Sequence, residues 1–278
     1  MPPLGLGVGW RPELALAISR HPGLGFTELI AEDFWDARIL PQAVENLRAR
    51  GMAIIPHGIS LGPGGAEPVC PTRVRKLAAL ARRCRAPLVS EHLCFVRAGG
   101  VESGHLLPLH RTGSMLDLVV ENLKQIRVML PVPLAIENIS APFDWPAQEY
   151  DEPAFLREAL IRADVLLLLD VANVHANAVN LGLSPEKLLD ALPLERVAYC
   201  HIAGGIHRDG TYHDTHTRRT SPEALALLEE VASRIEVPGV LLERDDDFPT
   251  EEELDDELTA IQAAVQRGRA RGRMTRVG

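Results

Sequence analysis

Short apolar runs and amphipathic stretches alternate along the whole chain. Runs rich in aliphatic and β-branched residues fall at 4–8, 26–31, 53–56, 87–90, 134–136, 165–169, 197–200 and 240–242. Between them, at about 11–20, 37–50, 72–84, 113–130, 153–162, 185–191, 221–235 and 250–268, positions recur at helical spacing, as in Met115, Leu118, Val119, Asn122 and Ile126. Near-continuous apolar strands that alternate with helices predict a parallel sheet covered by helices, and eight such units close naturally into a (β/α)8 TIM barrel. A doubly wound open sheet is the alternative. Against it, Gly5-Leu-Gly-Val-Gly9 lacks the spacing of a dinucleotide fingerprint and runs into Trp10-Arg11-Pro12. No low-complexity linker interrupts the pattern, which predicts one domain over 1–266. A basic tail over 267–278, with five arginines, reads as a flexible, solvated terminus.

A chain of 278 residues, 46% hydrophobic and 24% charged, can bury a full barrel core. The longest apolar stretches, such as 165–169, fall far short of the roughly 20 residues a membrane helix needs. Met1-Pro-Pro-Leu lacks the basic start and apolar core of a signal peptide, so a cytoplasmic location is expected. Cys70, Cys84, Cys94 and Cys200 are widely spaced and form no CxxC pair; reduced, partly buried thiols are expected rather than disulfides or a thiolate zinc site. A formal charge of −9 disfavours nucleic acid, whose binding draws on basic side chains that release counterions.

Candidate chemistry sits at or just after the ends of the apolar runs: His57, His92, Glu137, Asp170, Asn173, His201, Asp214, His216 and Glu243. At one end of successive parallel strands, such side chains converge on a single cavity. Glu137, in Ala135-Ile-Glu-Asn-Ile139, is a carboxylate beside a buried strand and needs a cation or several hydrogen bonds to offset desolvation. Asp170 is either a ligand or the cap of a following helix; Asn173, three residues on, lies within reach of the same site. Asp214 and His216 form an i, i+2 pair within a polar loop over 203–220, where barrel enzymes build active sites. Nitrogen and oxygen donors without sulfur suit iron, zinc or manganese, and there are more of them than one ion can take, so two or three ions are expected. His175, His207 and His213 are possible extra ligands or solvated loop residues. His21, His105 and His110 are set aside.

The segments Pro56-His-Gly-Ile-Ser60, Ser90-Glu-His-Leu93, Leu107-Pro-Leu109, Glu137-Asn-Ile-Ser140, Leu169-Asp-Val-Ala-Asn-Val174, His201-Ile-Ala-Gly204, Asp214-Thr-His216 and Glu243-Arg-Asp245, with Glu28-Leu-Ile-Ala-Glu-Asp33, span nearly the whole chain. Together they resemble the multinuclear non-haem iron-dependent oxidases, the family that includes the methanobactin-biosynthesis oxidase. The resemblance implies a xylose isomerase-like barrel with two or three irons in mixed Fe(II)/Fe(III) states. Its implied activity is the use of dioxygen to remodel residues, often cysteine, of a ribosomally made precursor peptide, commonly delivered by a partner protein that binds the leader. By motif, His57, His92 and Glu137 would hold one iron; Glu137, Asp170, His201 and Glu243 a second; Asn173, Asp214 and His216 a third. Asp245 is the candidate general base, with a cap or a partner of a ligating histidine as the alternatives. The chain departs from its relatives' usual Asn and Tyr at Ala172 and His175.

Two other functions compete. The ligand order also resembles endonuclease IV, a trinuclear zinc phosphodiesterase of abasic DNA, with Asn173 in place of a histidine. A metal- or peptide-binding barrel without turnover is the third reading.

Overall fold

The computed structural model describes residues 3–141 and 143–277. Met1, Pro2 and Gly278, on which the readings of the first segment and of the tail's end partly fall, lie outside them. In chain order the elements are β1 (Gly5–Gly9), α1 (Ala15–Arg20), β2 (Leu24–Ile30), α2 (Gln42–Ala49), β3 (Ala53–Gly58), α3 (Pro71–Cys84), β4 (Val89–His92), β5 (Phe95–Ala98), β6 (Val101–Leu107), α4 (Gly113–Met129) and β7 (Leu134–Glu137). The second half continues with α5 (Glu152–Ala163), β8 (Leu166–Asp170), α6 (Val171–Leu181), α7 (Pro185–Ala191), β9 (Val197–Ile202), β10 (Gly204–Arg208), β11 (Thr211–Arg218), α8 (Pro222–Arg234), β12 (Gly239–Leu242) and α9 (Glu251–Val277). Strands β1, β2, β3, β4, β7, β8, β9 and β12 close a parallel barrel, β12 pairing back onto β1. Each of the eight apolar runs supplies one barrel strand.

Strand alternation explains both the core and the site. Phe26, Ile55, Leu88, Ala135, Leu168, Tyr199 and Leu241 belong to one buried cluster in the barrel interior. Two residues further along each strand, on the same face, stand Glu28, His57, Ser90, Glu137, Asp170, His201 and Glu243, all buried. An apolar layer therefore floors a polar one. Gly7 completes the floor: a Cβ there would lie 2.6 Å from the Phe26 ring, so β1 and β2 approach because position 7 carries no side chain. The alternate residues Ile54, Val89, Ile136, Leu167, Leu169, Cys200 and Leu242 pack with helix residues such as Leu77, Val119, Leu160, Leu228 and Ile261 in the outer core.

Four features depart from the sequence expectations. The polar loop over 203–220 is largely the antiparallel hairpin β10–β11, whose turn places Asp209 and Gly210 at φ 52° and 79°. A second hairpin, β5–β6, turns at Gly99 and Gly100, at φ 59° and 76°. Paired positive φ values match the right-handed twist of the flanking strands. Helix α6, which lay outside the stretches expected to be helical, begins directly after β8, so Asn173 rides on its first turn. The described part of the segment expected to be a flexible tail instead continues α9. There Arg267 pairs with Glu229 at 2.7 Å, Arg269 donates to the Val237 carbonyl, and Gly272 comes so close to Ser233 that a Cβ would meet its carbonyl oxygen at 2.1 Å. Arg267 and Arg271 are held by the α8 acids Glu229 and Glu230, which offsets their charge along this part of the helix. All four cysteines are free; Cys84, Cys94 and Cys200 are buried. Among the described residues no helix is long and apolar enough to cross a membrane.

Candidate metal centre

Six of the nine proposed ligands reach the barrel mouth from the ends of barrel strands. His57 lies near the end of β3, His92, Glu137 and Asp170 close β4, β7 and β8, His201 is on β9, and Glu243 follows β12. Register brings them side by side: His92 pairs with Glu137, and Asp170 with His201. Asp214 and His216 come from β11, which folds back over the mouth. Donor atoms of His57, His92 and Glu137 lie within 4.8 Å of one another; so do those of Glu137, Asp170 and His201, those of Glu28, His201 and Glu243, and those of Asp170, Asp214 and His216. Glu137, Asp170 and His201 each belong to two of these groups.

Individual contacts show which ring nitrogens are free. His92 Nδ1 is 3.1 Å from the Gly58 carbonyl, which can only accept, so Nδ1 carries a proton and Nε2 is the nitrogen that faces Glu137 Oε2 at 3.4 Å; burial opposes a charged ring, but Glu137 and Glu91 raise its pKa to about 9, so Nε2 holds a proton until a metal displaces it. His57 Nε2 faces the same oxygen at 3.4 Å. His201 donates from Nε2 to Glu28 at 3.1 Å, leaving Nδ1 at 3.2 Å from Glu243 and 3.5 Å from Glu137. His216 Nε2 lies 2.8 Å from Asp214, and its Nδ1 2.9 Å from Asp245.

Glu137 Oε2, Asp170 Oδ2, Asn173 Oδ1, His201 Nδ1, Asp214 Oδ1 and Glu243 Oε2 are buried and have no hydrogen-bond partner. Buried polar atoms seldom go unpaired, because desolvation without a bond costs about 1–3 kcal/mol each. Six in one cluster fit cations, and the nitrogen and oxygen donor set fits iron, zinc or manganese. Asp170 does two jobs. Its Oδ1 caps α6 by accepting from Asn173 N at 2.7 Å, while Oδ2 remains open.

The electrostatics agree. Burial raises the pKa of the Glu137 carboxyl, yet His92, His201 and His57 outweigh it and hold the group down at about 2. Burial, followed by the charges of Asp214, Glu137 and Glu243, pushes Asp170 well above the ordinary range. Burial works against a charged His201, but Glu243, Glu28 and Glu137 overcome it and hold the imidazole well above its ordinary value. Carboxylates thus crowd one another until protons or metal ions neutralise them.

Above the ligands a cavity of about 460 Å³ is walled by Arg11, Ile30, Glu32, Ile59, Val96 and Leu106, and opens onto His57, His92, His216 and Glu243. Asp245 is on its wall with both oxygens engaged, one by His216 and the other by Arg11. Burial raises its pKa, but the bond to His216 and that ring's charge bring it below the ordinary value. His175 and His207 pack against the Tyr212 ring and belong to none of the donor groups. The sequence reading missed Glu28, Ser90, Tyr199 and Glu32 as site residues and set aside His105, which lines the cavity. Inward alternation from the apolar floor was the signal for Glu28 and Ser90.

A family model described as "RiPP precursor modification enzyme MbnB/TglH/ChrH" matches residues 5–266. The UPF0276 protein of Streptomyces avermitilis is 47% identical over 275 residues, covering 96% of this chain and 56% of its own length. The UPF0276 protein of Caulobacter vibrioides is 33% identical over 267 residues, covering 95% of both chains. The chain thus spans little more than half of the first relative and nearly all of the second. Among solved structures, a xylose isomerase-like TIM barrel/4-hydroxyphenylpyruvate dioxygenase fusion protein matches with a TM-score of 0.68 at 15% identity, covering 99% of this chain and 45% of that one. At that identity the likeness establishes the fold alone: a xylose isomerase-like TIM barrel.

Proposed function

The chain belongs to the MbnB/TglH/ChrH family of RiPP precursor modification enzymes, and from that membership and the clustered donors we propose that it is a multinuclear non-haem iron oxidase acting on a ribosomally synthesised precursor peptide. It uses dioxygen to modify peptide residues, cysteine foremost, and receives the peptide from a partner protein that binds the leader. His57, His92 and Glu137 would hold one iron; Glu137, Asp170, His201 and Glu243 a second; Asn173, Asp214 and His216 a third. Bound ferrous iron would supply electrons and an open coordination position for dioxygen, and ferric iron a Lewis-acidic anchor for a substrate thiolate.

The protein's own part is positioning. His92 presents its Nε2 because Gly58 holds the other nitrogen, and His201 presents Nδ1 because Glu28 holds Nε2. Ile30, Ile59, Val96 and Leu106 give the cavity an apolar wall that seats a side chain and keeps water away from it. Arg11 and Glu32 offer charged groups to the peptide backbone. Asp245 serves better to orient His216 than as a general base, since both its oxygens are engaged and its basicity is lowered.

The observation that carries the proposal is the set of unpaired buried donor atoms at the barrel mouth. His92→Ala and Glu137→Ala are expected to lower iron content and abolish peptide oxidation while the circular dichroism of the barrel is retained. Unchanged metal content in both variants would count against the assignment. Full zinc occupancy together with nicking of abasic DNA would favour the phosphodiesterase instead.

A further inference from the structure

Under the candidate ligands runs a buried file of side chains. His57 Nδ1 is 2.8 Å from Ser90 Oγ, Ser90 Oγ is 2.8 Å from the Tyr199 hydroxyl, that hydroxyl bonds Glu28, and Glu28 is 3.1 Å from His201 Nε2. All five residues are buried, at 5% exposure or less. The file joins four barrel strands, β3, β4, β9 and β2, and ends at two imidazoles that belong to different donor groups.

Counting protons fixes its direction. A carboxylate only accepts, so Glu28 takes the single Tyr199 proton and the Nε2 proton of His201. With its proton committed, the Tyr199 oxygen must accept from Ser90. Ser90 then has only a lone pair to offer His57, so His57 Nδ1 carries a proton and Nε2 is bare toward Glu137. Burial, with Glu28 beside it, keeps the phenol protonated.

We propose that Glu28, Tyr199 and Ser90 form one positioning file that sets the tautomers of His201 and His57 together, so that both rings turn a lone pair to the metal centre. The inference rests on the metal-centre reading above. It makes a demand that isolated histidine partners would not: although β2 and β3 are neighbouring strands, a change at Glu28 must act on the tautomer of His57 through Tyr199 and Ser90. In Glu28→Gln the amide can donate to Tyr199, which then donates to Ser90, and Ser90 to His57 Nδ1. The proton of His57 moves to Nε2, where it blocks a ligand.

The test is anaerobic Fe(II) titration of the full-length chain against a competing chelator, with apo-protein thermal unfolding measured in parallel. The His57-side ion is identified as the one lost in His92→Ala. Glu28→Gln is expected to weaken both the His201-side and the His57-side ions by about 10- to 100-fold, the usual range for partners behind a ligand. In a Tyr199→Phe background, Glu28→Gln is expected to leave the His57-side ion unmoved, because the file is cut. Loss at the His201 side alone, or the same His57-side loss with and without Tyr199, would overturn the inference. Should Glu28→Gln fail to fold, Ser90→Ala carries the test, with weakening of the His57-side ion expected and wild-type affinity overturning the proposal. Wild-type binding with unmoved variants brings down this inference alone; a wild-type chain that takes up no ion brings down the metal-centre reading too.

Discussion

Carboxyl groups in this chain owe their behaviour to their neighbours. Glu137 lies among three imidazoles and is held down at about 2, whereas Asp170, a few ångströms away among other acids, is pushed up. Glu152, outside the centre, shows what burial does with few cations at hand: desolvation raises it to about 7, against the opposing pull of Arg111 and a bond from Asn177. Its folded pKa exceeds its unfolded value, so the native state keeps a proton that the unfolded chain releases, and stability falls as pH rises from about 4.5 to 7. Glu152→Gln, which keeps an acceptor for Asn177, should remove this dependence and raise stability at pH 8 by up to about 2 kcal/mol, after allowing for solvent at the edge of the group. Urea denaturation at pH 5 and pH 8 checks it, and equal slopes in variant and wild type would refute it. The convergence of the strand-end candidate ligands was legible in the sequence because an acid or imidazole closing an apolar run stands out. Glu28 was not, since it sits mid-strand in Phe26-Thr-Glu-Leu-Ile30 and only knowledge of which face Phe26 takes sends it inward.

At the level of elements, the segment after β12 that carries Glu243 and Asp245 depends on α9. Glu257 is 1% exposed; it accepts from Thr220 N at 2.6 Å and Oγ1 at 2.8 Å through one oxygen, and from Arg244 at 2.9 Å through the other. Arg244 lies between Glu243 and Asp245, so the pair pins the segment that carries both, and ties it to Thr220, two residues before α8. Glu257→Ala leaves a buried guanidinium uncompensated and should cost about 3–5 kcal/mol. Thermal unfolding tests the magnitude; a cost within experimental error of zero would show that solvent replaces the acid. Barrel strands were readable because burial on both faces makes them continuous apolar runs. The two hairpins were not, since their strands are polar on the outer face, although Gly99-Gly100 and Asp209-Gly210 are recognisable turn pairs. Helix α6 was foreseen only through the possible cap at Asp170, because Asn173, His175, Asn177 and Asn180 interrupt its apolar spacing; two of them are buried by specific partners, Asn173 against Asn138 and Asn177 against Ile139 and Ala141.

For the whole molecule, metal uptake and stability are linked. Ligands that bind only the folded chain stabilise it, by roughly 2.7 kcal/mol at a hundredfold excess over Kd. Adding Fe(II) anaerobically to metal-free protein should therefore raise Tm, with a smaller rise in His92→Ala; an unchanged Tm at saturating metal would mean that no folded-state site exists. The arrangement responsible spans the chain, from Glu28 on β2 to Glu243 after β12, and only barrel closure brings those residues together. The central claim is a cluster of several irons at the barrel mouth. Its most direct test is iron quantification with Mössbauer spectroscopy on the full-length chain, purified without oxygen from cells grown in 57Fe. More than one iron per chain is expected, in distinct nitrogen and oxygen environments and with a component lost in His92→Ala; a single iron, or none, in wild-type protein of full fold would rule out a multinuclear centre.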